Sequence, residues 1–497
     1  MIKKLIIAGM SFLCMFLVAC QQNRETQTEL ESKKEVITLT WYINFSWFDK
    51  VWGEDEVSKY ITERTGIHVE YVVPTGDESQ HLQSFLARGI TTDLITFESW
   101  DSTYADFLND HAFASLDLLA EEYEVEFMEL VNEDTVHWYE YQDHLYVYPN
   151  ASYSLEQKQS YSNQTFLVRK DLYEAIGSPD MSTTEGFLQA LDDAREYSLE
   201  KAEVVIPLGL QEFTQTGNIS LEEYLQNFLA IPYEENGKVV DRFTHPEYLQ
   251  WLETFNEANR RGLLAQEIFF DKRVQMEEKI AQGSYFAMLY QWSDCTEQLM
   301  ELYEQSPEKI YIAVDGPKNS KGEDHTLAGS SIQGWTITGI SNGSEQKEAA
   351  IQLMTFLMSE EGQQLIFQGL ENGTNEEKYS STDVLWPLMN NAYAEKMGYL
   401  LEDESYIREI KDWTNLYTHN FSLYAYSELA YDLSVYAIEK EDQMRRGTLL
   451  VDLLLAETEE IFMQSWEVFL EEREESEYYL VIEEKQKQLE ENKERLQ

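Results

Sequence analysis

From Val36 onward the chain alternates between two hydrophobic patterns. Val36-Ile37-Thr38-Leu39-Thr40-Trp41-Tyr42 is β-branched and aromatic and predicts a first strand. Glu54 to Arg64 carries Val57, Tyr60 and Ile61 at helical spacing and runs into Gly66, a natural helix stop. Ile67 to Val73 predicts a second strand, closed by Pro74-Thr75-Gly76-Asp77. Gln80 to Ala87 predicts a helix through Leu82, Phe85 and Leu86, with Gly89 as its stop, and Asp93 to Phe97 predicts a third strand. Strand-helix-strand-helix-strand with short connections describes a parallel α/β sheet. Ligands of open sheets of this kind sit beyond the carboxyl ends of the strands. Here those ends are Trp41 to Trp47 and Glu98 to Asp101, both crowded with aromatic and hydrogen-bonding side chains. Near the other end of the chain, Ala456 to Tyr479 places Ile461, Phe462, Trp466, Phe469 and Leu470 on one expected buried helix face. After Ile482 the sequence is charged and aromatic-free, which predicts a frayed terminal helix.

The first thirty-five residues follow a different rule. Lys3 and Lys4 precede an uncharged apolar run from Leu5 to Ala19, too short to span a bilayer stably, which takes roughly 20 residues. The run closes in Leu17-Val18-Ala19-Cys20, which resembles the lipobox of bacterial lipoproteins. That resemblance implies a signal peptide over 1–19, cleavage before Cys20 and diacylation of its thiol. Two acyl chains anchor stably where one binds weakly. Residues 20–35 are polar and predict a solvated tether that holds the body off the lipid surface.

Composition narrows the rest. At 497 residues the chain exceeds one ordinary core and predicts at least two lobes, with 43% hydrophobic residues to fill them. The formal net charge of −55 repels nucleic acid and excludes a nucleic-acid function. Of three cysteines, Cys14 leaves with the leader and Cys20 carries lipid, so no intramolecular disulfide can form in the body. Cys295 has no CxxC or His neighbour at metal spacing and reads as a small buried hydrophobe. There is no GxSxG, HExxH, P-loop or DxDxDG calcium loop. His137 and His144 stand seven apart and are expected on either side of a strand or loop, which argues against a shared metal. The expectation is therefore a binding protein with no cofactor and no metal, not an enzyme. Ninety-two carboxylates make chance acid pairs inevitable, so a glycosidase pair cannot be argued from abundance.

The order of motifs resembles that of the extracellular solute-binding proteins of bacterial ABC importers, in the lipoprotein branch for oligosaccharides. The resemblance runs through Ile61-Thr62-Glu63-Arg64-Thr65-Gly66-Ile67 and Leu86-Ala87-Arg88-Gly89-Ile90-Thr91-Thr92-Asp93-Leu94-Ile95. It continues through His144 to Asn150, Val168-Arg169-Lys170-Asp171-Leu172 with Thr183 to Phe187, Gln282 to Met288, and Lys347 to Gly362. Ile90-Thr91-Thr92 lacks the family's Asp and Pro, and Tyr148 replaces its Gly-Leu before Pro149. These departures bear on ligand type more than on fold.

The resemblance implies an α/β, two-lobed periplasmic-binding-protein-like fold with a hinge and a ligand cleft. The first lobe is expected over 36–153 and the second over 154–333, with a return to the first lobe over 334–375. C-terminal helices over 376–497 are expected to pack across both. Such a protein closes its hinge on an oligosaccharide or other small solute at the outer face of the cell membrane and hands it to membrane permease subunits, working as a lipid-anchored monomer. A ligand drives closure only by touching both lobes. The candidates are Trp41, Asn44, Trp47, Glu98 and Trp100 from the first lobe. Tyr148, Asn150, Trp292, Asp294 and Trp335 are those from the second lobe and the hinge. Aromatic rings stack on sugar C–H faces while Asp, Asn and Glu bind hydroxyl edges, a mixture that suits carbohydrate. Trp292 is the foremost candidate, because in the family the segment after Gln282 to Met288 enters the cleft. A surface glycosidase and a ligand-sensing lipoprotein remain the alternatives.

Overall fold

The computed structural model describes residues 36–76, 78–101, 103–153, 162–329, 332–370, 382–397, 405–419 and 433–495. The signal-peptide, tether and Cys20 expectations lie outside them.

The principal elements, in chain order, begin with β1 (Ile37–Ile43), α1 (Glu56–Thr65), β2 (Ile67–Val72), α2 (Glu78–Ala87), β3 (Leu94–Glu98) and β4 (Val147–Pro149). There follow β5 (Gln164–Arg169), α3 (Thr184–Glu200), β6 (Ile206–Leu210), α4 (Pro246–Arg260), α5 (Arg273–Ala281), β7 (Tyr285–Gln291) and β8 (Tyr311–Ala313). The last are β9 (Thr336–Ile340), α6 (Lys347–Met358), α7 (Leu433–Leu455), α8 (Glu459–Glu475) and α9 (Tyr479–Arg495).

Two sheets carry the molecule. The first runs β2-β1-β3-β9-β4. Its β2, β1 and β3 are parallel, as the alternating pattern predicts, and β9 returns antiparallel to β3 from far along the sequence. Local chemistry fixes the edges of α1: Asp55 caps its N-terminus and Gly66, at φ 76°, ends it in the left-handed region. The second sheet runs β8-β5-β7-β6, with β7 antiparallel to β5 and parallel to β6. Each sheet has its own hydrophobic core, the first completed by α6 and the second by α3, α4, α7 and α8. Among the described residues no helix is long and apolar enough to cross a membrane.

The C-terminal helices depart from the expected pattern in two ways. On α8, Phe462, Trp466 and Phe469 are buried, but Ile461 and Leu470 are exposed and the buried stripe ends in Arg473. Arg473 is held by Asp442 of α7 and by Asp241 at 2.6 Å, so its charge is paired where it is buried. The segment after Ile482 is not frayed. As α9 it buries Val481 and Leu489, and Lys485 pairs with Glu439 of α7. Lys493 reaches Glu234 of the second lobe at 2.5 Å, and the helix also lies alongside Glu133–Tyr139 of the first lobe. Two apolar positions eight apart, on one face and flanked by ion pairs, seat a helix that composition alone predicts to be solvated.

Where β4 leads out of the first sheet and β9 leads back into it, the two strands are tied at Asn150, which is fully buried. Its N–H donates to the Thr336 carbonyl at 2.8 Å and its Oδ1 accepts the Thr336 N–H at 2.7 Å. Its Nδ2 donates to the Trp386 carbonyl at 3.0 Å. Gly334, at φ +71°, crosses here so closely that a Cβ would stand 2.1 Å from the Asn150 carbonyl oxygen, so only glycine fits. Asn150 is thus a structural tie between connecting segments, and its expected ligand role is corrected accordingly.

Candidate ligand-binding cleft

The loop after β1 is pinned by Phe45 and Phe48, both turned into the first core, which leaves Trp47 between them facing outward at 45% exposure. Trp335, aimed by the Gly334 crossing, lies parallel to Trp47 at 6.3 Å and 8°. Trp386 stacks behind Trp335 at 4.7 Å and is 5% exposed; Phe45 meets it edge-on at 5.3 Å. The Trp386 indole N–H is buried and has no acceptor among the described residues. The result is an aromatic wall running from core to open surface, with offset geometry that favours ring–ring contact.

Beside the wall, the carboxyl ends of β1 and β3 gather a polar corner. Tyr42 donates its hydroxyl proton to Asn44 Oδ1 at 2.7 Å and lies 2.9 Å from His81 Nδ1. Glu78 accepts from the Ser46 N–H at 2.6 Å and hydroxyl at 2.8 Å, tying the Trp47 loop to α2. Burial, with Asp101 and Glu78 nearby, pushes the Glu98 carboxyl up to about 7 against a hydrogen bond from Trp100. Burial also raises Asp101, although the Thr103 N–H donates to it at 2.8 Å. Trp100 itself is 48% exposed.

The second lobe contributes a polar set at the ends of β6 and β7 and the start of α5. Asp294 accepts from Gln291 at 3.1 Å and from Gln211 at 3.4 Å. Tyr224 donates to Gln291 Oε1 at 3.1 Å from a π-helix over Ser220–Leu225, a rare element that recurs at functional sites. Burial raises the Asp294 carboxyl and Arg273 opposes the rise. Arg273 is held by Glu277 at 2.8 Å, and its guanidinium lies 5.9 Å from the Trp47 ring. That contact joins the two lobes across the cleft.

The structure therefore gathers Asn44, Trp47, Glu98, Trp100 and Trp335 about the carboxyl ends of β1 and β3 and the start of β9, and places Asp294 after the end of β7. Asn44 is itself nearly buried. Three further expectations are corrected. Trp41 is wholly buried and donates its indole N–H to Thr96 at 2.8 Å, because β1 is a central strand covered on both faces. Tyr148 is buried edge-on to Phe127 at 6.1 Å. Trp292 is 6% exposed, donates to the Ser162 carbonyl at 3.0 Å, and packs with Tyr290, Leu299 and the buried, free Cys295. Sequence reasoning missed Trp386, Arg273, Gln211, Gln291 and Tyr224, which come together only through tertiary crossings. Among the described residues no group of three His, Cys, Asp or Glu is arranged to hold a metal.

No family model matches the sequence, and no curated protein matches it either. Solved structures do match over nearly the whole chain. The alginate-binding protein AlgQ2 without calcium ion aligns at TM-score 0.66 and 14% identity, covering 92% of this chain and 98% of its own. The ABC-transporter substrate-binding protein FusA of S. pneumoniae, in complex with kestose, aligns at 0.69 and 13%, covering 92% and 99%. The N-glycan transport solute-binding protein NgtS of Streptococcus pneumoniae, in complex with Man1GlcNAc, aligns at 0.59 and 16%, covering 91% and 99%. The chain has the two-lobed fold of these binding proteins.

Proposed function

We propose that this protein is the solute-binding component of an ABC importer, which captures an extracellular oligosaccharide by closure of the cleft and delivers it to membrane permease subunits. The observation that carries the reading is the aromatic wall of Trp47, Trp335 and Trp386, faced across the cleft by Arg273 and the Asp294 set. Rings supply flat contact to sugar faces, and the surrounding carboxylates, amides and guanidinium supply hydroxyl partners. Ligand touching both sides shifts the hinge toward the closed form. A thermal-shift screen of oligosaccharides tests it: a ligand of the folded form raises the melting temperature and is recovered intact. Release of new reducing ends would favour the glycosidase reading, which would draw on Glu98 and on Asp101 in the turn after it.

The same proposal places the protein at the outer face of the membrane as a monomer, held by diacylated Cys20. Cys20→Ser is expected to release the chain into the medium or leave it unprocessed, read by fractionation and mass spectrometry. A processed Cys20→Ser chain that stays with the membrane contradicts the anchor.

A further inference from the structure

We propose that this cleft is built for uncharged oligosaccharides and discriminates against chains carrying carboxylate or sulfate groups. The inference rests on the oligosaccharide reading above and narrows its substrate class.

Three observations converge on it. First, the corner beside the aromatic wall holds three carboxylates: Glu78 bonded to Ser46 next to Trp47, Glu98 opposite Thr336 next to Trp335, and Asp101 in the turn that follows Glu98. Among the described residues no cation stands within ion-pair distance of Glu78 or Glu98; Lys440 of α7 approaches closely enough to stabilise only Asp101. Secondly, the cation that lies against the wall is already answered by protein carboxylates. Arg273 has Glu277 at 2.8 Å and is further stabilised by Asp294. A ligand carboxylate would therefore have to displace a protein carboxylate to pair with Arg273, while entering a site where like charges repel. Thirdly, what the wall leaves open to a ligand is neutral: the half-exposed ring of Trp47 at its outer end. A sugar C–H face serves it, and no anion is needed. Specificity built this way works by repulsion of the wrong ligand as much as by attraction of the right one.

The test uses the mature protein on a glycan array that carries gluco-, fructo-, manno-, galacto- and xylo-oligosaccharides beside uronate, sialylated and sulfated chains. Titration then follows on the best neutral binder and its nearest anionic counterpart. The expected result is a neutral best binder, favoured at least tenfold at low salt, with the ratio shrinking as salt rises. In Glu78→Gln/Glu98→Gln, whose amides still accept from Ser46 and Trp100, that ratio is expected to fall at least threefold, whatever happens to the absolute affinities. An anionic best binder overturns the inference and leaves the oligosaccharide reading standing. A ratio that ignores both salt and the double variant also overturns it. Silence across the array removes both the inference and the reading beneath it.

Discussion

Trp47 and Trp292 occupy comparable places in the two lobes, one in the loop after β1 and the other directly after β7, yet they end in opposite environments. Around Trp47 the flanking Phe45 and Phe48 fill the core, so the third ring is left on the surface beside Trp335. Around Trp292 the chain closes completely: its backbone N–H donates to Asn163 at 2.9 Å, its indole to Ser162, and its ring to the packing about Cys295. A satisfied indole in a closed cluster is a core residue, and a ring with one open face is a platform. The position of a tryptophan after a strand does not decide between the two; the partners of its N–H and the company of its ring do.

This comparison breaks most easily at Trp292. Trp292→Ala is expected to cost about 3–5 kcal/mol of stability, because it empties a packed site and strands a carbonyl. Denaturant melts check it; a loss under about 1 kcal/mol would return Trp292 to the cleft.

The next effect concerns the corner beside Trp47. The Glu98 carboxyl titrates at 4.5 when free and near 7 in the folded protein, so the folded form binds more protons between those values. Stability from this group is complete below about pH 4.5 and is lost as pH rises through 7, by at most about 3 kcal/mol. Comparing wild type with Glu98→Gln across pH 4 to 8 isolates the term. An unchanged difference over that range would mean that Glu98 is solvated and the corner open.

Much of the first lobe was legible because its helices and strands carry their own period and stops: Val57 and Ile61, Gly66 and the third strand follow from local chemistry, although the helix begins at Glu56, after the Asp55 cap, and not at Glu54. Facing was not legible in β1, whose burial on both faces erases the alternation that would separate Trp41 from a surface ring. The second half of the cleft was less legible still. Arg273, Gln291 and Tyr224 come from a helix start, a strand end and a π-helix far apart in sequence, and nothing in their local spacing announces their meeting. Asn150 was selected for the right neighbourhood and the wrong task, since hydrogen-bonding residues at a hinge serve the crossing backbone as readily as a ligand.

The central claim is that the wall ending in Trp47 holds the sugar. Calorimetric titration of the best-binding oligosaccharide into wild type and Trp47→Ala, with a melting curve on each, tests it most directly. Removing a half-exposed ring is expected to leave stability within about 1 kcal/mol and to weaken binding by about 1–3 kcal/mol, roughly ten- to a hundredfold. Wild-type affinity in a normally folded Trp47→Ala protein would contradict it.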